Sequence, residues 1–167
     1  MEMPRYNKLE DFKFITMIQT QTKIKIKDNG DFLQGQCINF AKKKIKKAAK
    51  IGHCVKVSVT KVKPTALYSQ DSKKSATGSK RTSMLNIKKN SLQDVLLVQV
   101  KAPTLRKDGS TIQFYSNCGV CVVFKPKQHQ LGFKRVNTTV PFELKNKVYA
   151  QRFKAAYNVI KVAKNLL

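Results

Sequence analysis

The chain has 167 residues, with 34 Lys and Arg against 9 Asp and Glu, which gives a formal net charge of +25 at pH 7. Apolar residues make up 41% of the sequence, enough for one globular domain with a core, so a wholly disordered chain is excluded. Repulsion among so many like charges predicts a polyanionic partner, with nucleic acid as the first expectation and an acidic membrane surface as the alternative.

The N-terminal residues 1–16 show little periodicity and are predicted to be an extension of the domain. Three acidic residues, Glu2, Glu10 and Asp11, lie within it, whereas secretory signals and transit peptides avoid acidic residues. No apolar stretch reaches the roughly 18 residues that a membrane-spanning helix needs. We therefore expect a chain without a presequence that belongs to a soluble compartment or assembly.

From Met17 onwards the pattern becomes typical of strands. Isoleucine alternates with lysine over residues 22–27, which predicts a half-buried strand with a basic outer face. The residues Asp28-Asn29-Gly30 predict a turn. Residues 37–40 resume the extended pattern, and alternating valines predict a long strand over residues 52–64, which ends at a proline.

The densest basic run covers residues 41–50 (AKKKIKKAAK), and its composition predicts either a helical turn or a lysine-rich hairpin tip. An isolated run of charge is usually a solvated face, but the charge excess of the whole chain favours contact with phosphate. Residues 65–86 are rich in Ser and Lys, and they are predicted to be a flexible insertion rather than a packed element.

The second half of the chain combines strands with a helical tail. Residues 95–100 predict a central strand, and residues 111–114 and 118–124 predict two more. Between the strands predicted at 95–100 and 111–114, residues 106–109 (RKDG) predict a hairpin tip because Asp-Gly favours a tight turn. Over residues 149–167 apolar side chains recur at intervals of four and three, which predicts an amphipathic helix that docks on the domain or, alternatively, on a membrane surface.

Several short strands followed by one helical tail indicate a mainly β fold, a small β-barrel of the size of an oligonucleotide-binding fold. We divide the chain into an extension at 1–16, a barrel domain over 17–145 that carries the insertion at 65–86, and a C-terminal helical segment over 146–167.

Four cysteines are present, and without a secretory signal we expect them to be free thiols. Cys118 and Cys121 have the C-x-x-C spacing of some zinc and redox sites, which is the alternative function for this pair. They lie in a predicted strand, however, where residues three apart point to opposite faces, and Cys37 and Cys54 do not form a second close pair. We expect no metal and a packing role.

Several motifs occur in a fixed order along the chain. The segment MIQTQT at residues 17–22 is followed by Asp28-Asn29-Gly30 and then by Cys37-Ile38. Further on, four aliphatic residues are followed at regular spacing by Asp-Gly, an aromatic residue, Asn and Val, at residues 95–98, 108–109, Phe114, Asn117 and Val120. This order resembles the family of the universal fourteenth protein of the large ribosomal subunit, over Met17 to about Ile160.

The chain departs from that family's pattern at a few positions. Val95 stands where Gly or Ala is usual, and Cys121 stands where an aliphatic residue is usual. The late segment VPFELK at residues 140–145 resembles the family's G-P-V-x-x-E-L-R, although Thr138-Thr139 replaces Gly-Pro. Neither signature departure changes the spacing.

The resemblance implies a closed five-stranded β-barrel with a projecting β-ribbon and short C-terminal helices. It implies a structural protein, not an enzyme, that binds large-subunit rRNA and contributes to bridges with small-subunit rRNA. The implied protein partners are the third and nineteenth large-subunit proteins, with a ribosome-silencing factor at the C-terminal region and no membrane. Both cysteines of the C-x-x-C fall in the signature strand, which supports the packing role.

Lysine and arginine in the loops are the expected RNA-binding residues, because they neutralise phosphates and position a protein on RNA without reading sequence. From the first basic run we select Lys42, Lys43, Lys44, Lys46, Lys47 and Lys50. The resemblance adds the pairs Arg106-Lys107, before Asp-Gly, and Lys134-Arg135, after a glycine. We expect Phe114 and Asn117 to order the core and a loop rather than to stack on bases.

Catalysis finds no support in the sequence. His53 and His129 have no acidic residue nearby in sequence, and neither a Gly-rich phosphate loop nor a His metal motif is present. We expect no cofactor. The alternative function is a free single-stranded nucleic-acid-binding barrel, which would interleave aromatics with lysines on one face, and Phe114, Tyr115 and Phe124 are not evidently so placed.

The compartment is inferred from composition. Abundant Lys, Ile and Asn together with the absence of Trp suggest an AT-rich genome. With the extension and the insertion, this favours a mitochondrial ribosome over a bacterial or plastid one.

Overall fold

The computed structural model describes residues 18–40, 48–63, 87–106, 108–124, 129–131, 135–145 and 153–167. The predicted extension, most of the basic run and the predicted insertion lie outside these residues, so their conformations and the division into three segments stay predictions.

The described residues form ten strands, a 3₁₀-helix and one α-helix. The strands are β1 (Lys23–Ile26), β2 (Phe32–Phe40), β3 (Cys54–Val62), β4 (Leu92–Gln99), β5 (Thr104–Leu105), β6 (Thr111–Ile112), β7 (Cys118–Phe124), β8 (His129–Leu131), β9 (Val136–Val140) and β10 (Ala163–Leu166). The 3₁₀-helix spans Phe142–Lys145, and the α-helix, α1, spans Phe153–Val162.

Five strands close into a barrel in the order β1-β2-β3-β4-β7, because β7 returns to pair with β1. Neighbouring strands are antiparallel except β1 and β7, which are parallel. β8 continues the sheet beyond β7, β5 and β6 form a separate two-stranded ribbon, and β9 pairs with β10. The predicted mainly β fold with a closed five-stranded barrel is confirmed.

Alternation of residue type places the core inside the barrel. In β1 (KIKI) both isoleucines are buried and both lysines are exposed, because successive side chains of a strand point to opposite faces. Three alternate valines of β3, at positions 55, 57 and 59, are likewise fully buried. β4 is different, since residues 95–100 are buried without interruption, which indicates that its outer side is covered as well.

The C-terminal elements pack against the barrel. α1 buries Ala155, Ala156 and Val159 in the same core cluster as the barrel, and it contacts the 3₁₀-helix, β8 and β9. From β4, the buried side chain of Gln99 donates a hydrogen bond from Nε2 to the carbonyl of Thr139 at 2.8 Å, which ties β9 to the barrel. No helix of the described residues is long and apolar enough to cross a membrane.

The helix predicted over residues 149–167 is wrong at its C-terminal end. α1 stops at Val162, and the next four residues continue as β10, which pairs in parallel with β9. The apolar spacing of the last residues is compatible with a helix, but their backbone groups find partners along β9, as in the 3.0 Å bond from the Leu167 N–H to the Val140 carbonyl.

The parallel seam between β1 and β7 closes the barrel. The N–H groups of Lys25 and Lys27 donate to the carbonyls of Asn117 and Gly119 at 3.0 and 3.2 Å. A β-carbon on Gly119 would lie only 2.3 Å from Cγ1 of Val95, so the absence of a side chain permits this close packing.

Asp28 extends the seam beyond the last residue of β1. One carboxylate oxygen accepts the Cys121 N–H at 2.8 Å, and the other accepts the Gly30 N–H at 2.7 Å. The side chain is only 3% exposed, and burial raises the pKa of Asp28 above 3.8, although the two N–H donors and nearby Lys63 act to lower it. Asp28 also forms an isolated bridge with Val136 of β9. This one residue therefore joins three elements, namely β7, β9 and the turn that follows β1.

We expect the substitution Asp28→Asn to lower the free energy of unfolding by about 1–3 kcal/mol, because an amide offers one acceptor oxygen and leaves one buried N–H facing another donor. Chemical denaturation of the purified protein measures this. Asp108→Asn is the matched control, since Asp108 is exposed and its bonding oxygen Oδ1 is retained in Asn. Equal losses in the two variants would contradict the role of Asp28.

The free energies of unfolding of the wild type and of Asp28→Asn should also differ in their dependence on pH. A folded-state pKa above the unfolded value of 3.8 means that the folded protein binds the extra proton, so the Asp28 contribution is most favourable at low pH. The difference in the free energy of unfolding between wild type and Asp28→Asn should therefore shrink as the pH rises from 3.8 through the raised pKa. A difference that grew over this window would contradict the raised pKa.

Candidate nucleic-acid interface

The outward side chains of β1 and β3 form a basic surface, which we call the barrel basic face. It consists of the exposed residues Lys23, Lys25, Lys27, Lys56 and Lys61. The β1 lysines follow one another at every second position, so neighbours on this side of the strand are about 7 Å apart. Their alternation with buried isoleucines fixes the direction in which they point.

Amide side chains of β2 lie between the two lysine-bearing strands. Gln36 pairs with Lys23, and Gln34 pairs with Lys25 on one side and Lys61 on the other. Amides donate and accept hydrogen bonds, so they suit contacts with phosphate oxygens and ribose hydroxyls. None of the three strands contains an acidic residue, although Asp94 of the adjoining strand β4 pairs with Lys56. The part of the surface over β1 and β2 therefore presents positive charge and neutral donors.

Arg135 adjoins this face through the turn that follows β1. Its N–H donates to the Asn29 side-chain oxygen at 3.1 Å, and the Asn29 N–H donates to the Arg135 carbonyl at 3.3 Å. One step further, the Asn137 N–H donates to the Lys27 carbonyl at 2.7 Å. Since Arg135 is exposed, its charge is held beside the end of the barrel basic face.

Lys50 lies at the turn that enters β3. The His53 N–H donates to the Lys50 carbonyl at 3.1 Å, while the Lys50 N–H donates to Nδ1 of His53 at 3.2 Å, and the lysine side chain is exposed. The other predicted RNA-binding lysines lie outside the described residues: Lys42, Lys43, Lys44, Lys46, Lys47, Lys107 and Lys134.

Arg106 is engaged within the protein. Its Nε lies 2.6 Å from a carboxylate oxygen of Glu143, at ion-pair distance but without hydrogen-bond alignment, and its Nη2 donates to the Leu167 carbonyl at 3.2 Å. A quarter of the side chain is exposed. Arg106 thus joins the β5–β6 ribbon to the C-terminal elements, a role that no sequence spacing indicated.

The ribbon tip has the predicted turn chemistry. Gly109 has a φ of +83°, a left-handed conformation that glycine adopts at little cost. One side-chain oxygen of Asp108 accepts both the N–H and the hydroxyl of Ser110, at 3.0 and 2.7 Å, and these bonds lower the pKa of Asp108. Both residues therefore form the turn, as the sequence indicated.

Exposed apolar residues adjoin Arg106, Glu143 and the Leu167 carbonyl that Arg106 binds, and we call them the C-terminal apolar patch. It consists of Leu105, Phe142, Leu166 and Leu167. The Phe142 N–H donates to the Leu167 carbonyl at 2.8 Å, which holds the end of the chain against the 3₁₀-helix. Exposed apolar residues that cluster in this way are typical of protein interaction sites.

The barrel basic face was only half predicted. The alternation over residues 22–27 predicted a basic outer face for the first strand. RNA contacts, however, were expected from the lysine-rich loops and not from the lysines of β1. The pairing that brings β3 lysines beside them through Gln34 is a long-range contact, and no local pattern contains it.

The cysteines are buried free thiols. Cys118 lies with its sulfur 3.2 Å from the Ser116 hydroxyl, whereas the Cys121 sulfur lies 4.0 Å from the Gln93 side chain, so the two thiols have different neighbours. Burial raises the pKa of Cys37 to about 11 and that of Cys121 to about 12. Within the described part of the chain no group of three His, Cys, Asp or Glu is placed to hold a metal ion.

We expect the native thiols to resist iodoacetamide at neutral pH, because burial blocks access and leaves little reactive thiolate at Cys37 and Cys121. Mass spectrometry should show full labelling only after unfolding. Thr111→Cys, which places a thiol at an exposed position, serves as the positive control. Rapid native labelling of Cys118 and Cys121, or zinc that is lost from the Cys118→Ser/Cys121→Ser variant, would instead support a redox or metal site.

Comparison with known proteins agrees with the architecture. The family model described as ribosomal protein L14p/L23e matches residues 17–160. The large ribosomal subunit protein uL14 of Carsonella ruddii (strain PV) is 28% identical over 144 residues, which are 86% of this chain and 100% of that relative. The resemblance inferred from the motifs is thus confirmed. The chain belongs to the ribosomal protein L14p/L23e family, and it is a structural constituent of the large ribosomal subunit, not an enzyme.

Proposed function

We propose that the chain binds large-subunit rRNA through the barrel basic face and contributes to bridges with small-subunit rRNA. The observation that carries this proposal is the barrel basic face itself, in which lysines of β1 and β3 flank the amides of β2 on strands without acidic residues. Arg135 extends the same positive surface at the end of β1.

Phosphate neutralisation supplies the binding free energy of such a surface, because each contact releases condensed counterions. Lysines act as point charges and tolerate many phosphate geometries, so they favour recognition of RNA shape over sequence. The closed barrel adds rigidity, which holds the lysine spacing constant and reduces the entropy lost on binding.

The basic loops extend the proposed interface. Residues 41–53 connect β2 to β3. Six lysines of this connection are proposed to contact RNA beside the barrel basic face: Lys42, Lys43, Lys44, Lys46, Lys47 and Lys50. Lys107 at the ribbon tip and Lys134 next to Arg135 are proposed contacts as well. Arg106 can contact RNA only through the quarter of its side chain that is exposed.

Protein partners are proposed at the C-terminal apolar patch and around it. The third and nineteenth large-subunit proteins are the expected neighbours, and a ribosome-silencing factor is the expected transient partner. The exposed Leu105, Phe142, Leu166 and Leu167 support a protein contact there, since such side chains gain by leaving water.

A mitochondrial ribosome is the proposed location. The lysine-rich sequence without tryptophan, together with residues 1–16 outside the family match and the Ser/Lys-rich residues 65–86, supports this choice. We further propose that the gene is translated inside the organelle, and a gene on a nuclear or bacterial chromosome would contradict this.

Replacing Lys23, Lys25 and Lys27 by Gln tests the barrel basic face. We expect weaker binding to large-subunit rRNA and a plot of log K against log salt that is shallower by about 2, because each lost phosphate contact removes about 0.7–0.9 from the slope. Binding measured by fluorescence anisotropy over a salt series gives both quantities. The matched control, Lys154→Gln/Lys161→Gln/Lys164→Gln, removes the same charge from α1 and β10, and it should change the slope less.

Two outcomes would contradict these proposals at different levels. Equal slopes for the two triple variants would mean that net charge, not the barrel basic face, governs binding. Failure of the wild-type protein to co-sediment with large subunits in a gradient of moderately high salt would contradict rRNA binding itself.

A further inference from the structure

Tyr115 is the most exposed of the large hydrophobic side chains in the described residues. It lies between β6 and β7, and 93% of its surface is accessible to solvent. Its neighbour Phe114 is partly buried and packs against the core. The loop therefore holds the ring of Phe114 inward and presents the ring of Tyr115 to solvent. The large apolar surface of the Tyr115 ring is not buried within the protein.

The loop that carries Tyr115 is held on two sides. The side-chain oxygen of Asn117 accepts the Lys101 N–H at 2.8 Å, and the backbone carbonyl of Asn117 accepts the Lys25 N–H at 3.0 Å. The Ser116 hydroxyl lies 3.2 Å from the sulfur of Cys118. These bonds tie the loop to β1 and to the end of β4, so the ring is displayed from an ordered backbone and less entropy is lost when it binds.

The same two bonds join the backbones of two lysines to the loop. Lys25 and Lys101 are both exposed, and both are anchored to Asn117, two residues from Tyr115. Lys23 lies on the same side of β1 as Lys25, since residues two apart on a strand share a face. Proteins bind unpaired nucleotides with an aromatic ring that stacks on a base and with nearby lysines that bind the adjoining phosphates.

We propose that Tyr115 stacks on one unpaired base of bound RNA, with Lys25 and Lys101 binding the phosphates next to that base. The proposal rests on the RNA binding proposed above and adds a base contact to it. It gives Tyr115 a base-stacking role. The sequence alone did not make such a role evident for Phe114, Tyr115 or Phe124.

A single tryptophan tests the stacking directly, because the chain has none. Tyr115→Trp introduces one indole, whose emission should be quenched by a short oligoadenylate and much less by an oligonucleotide of the same length whose central riboses lack bases. Tyr157→Trp is the control, since Tyr157 lies on α1 with Nζ of Lys161 4.8 Å from its ring centre; this indole should respond equally to both oligonucleotides. Equal quenching of Tyr115→Trp by both would overturn the proposal.

Affinity provides an independent measurement. Tyr115→Ala should weaken oligoadenylate binding by about 5- to 150-fold, the range for loss of one stacked base, and leave the salt slope unchanged because no charge is removed. Tyr115→Phe should bind like the wild type. Neither substitution should shift the thermal midpoint, because the side chain is exposed.

The outcomes separate this proposal from the one it rests on. If wild type binds neither rRNA nor oligoadenylate, rRNA binding fails and the stacking fails with it. If wild type binds and Tyr115→Ala binds equally well, the stacking alone is wrong. If Tyr115→Ala binds RNA normally but co-sediments less with large subunits, Tyr115 contacts a protein and the stacking is again wrong.

Discussion

The parallel seam between β1 and β7 is the constraint on which the rest of the structure depends. Backbone pairing between the two strands and the Asp28 carboxylate close it, and a strand order of β1-β2-β3-β4-β7 is a barrel only because this last pair forms. Closure removes the free edges that an open sheet of this size would expose. Asp28 also bridges to Val136, so the same carboxylate-centred turn positions β9 and, through it, the C-terminal elements.

Three of the described acidic residues stabilise the fold. Asp28 accepts two N–H groups at the seam, Asp108 orders the ribbon tip, and Glu143 pairs with Arg106. Beside the barrel basic face, Asp94 of β4 pairs with Lys56, whereas Lys23 and Lys25 of β1 pair with glutamines of β2. A chain with a net charge of +25 repels itself, and the proposed RNA partner would supply the counter-charge.

Much of the fold could be predicted from local pattern. The alternation in β1 and β3, the Asp-Gly turn and the burial of residues 95–100 all follow from side-chain periodicity and backbone preference. The end of α1 could not, because residues 163–166 have a helical spacing and become a strand only where the edge of β9 is available. Local propensity is a weak preference that tertiary hydrogen bonding readily overrides.

The sequence by itself determined the class of the molecule: a basic, single-domain β protein of a ribosomal family, with lysines on the outer side of its first strand. Tertiary structure decided which charges face outward together, and it turned Arg106 towards Glu143 and Leu167. It also brought Lys25 and Lys101 to the loop of Tyr115 through a single asparagine. The physical reason is that charge and periodicity are local properties, whereas neighbours across a closed barrel are set by pairings between strands far apart in the chain.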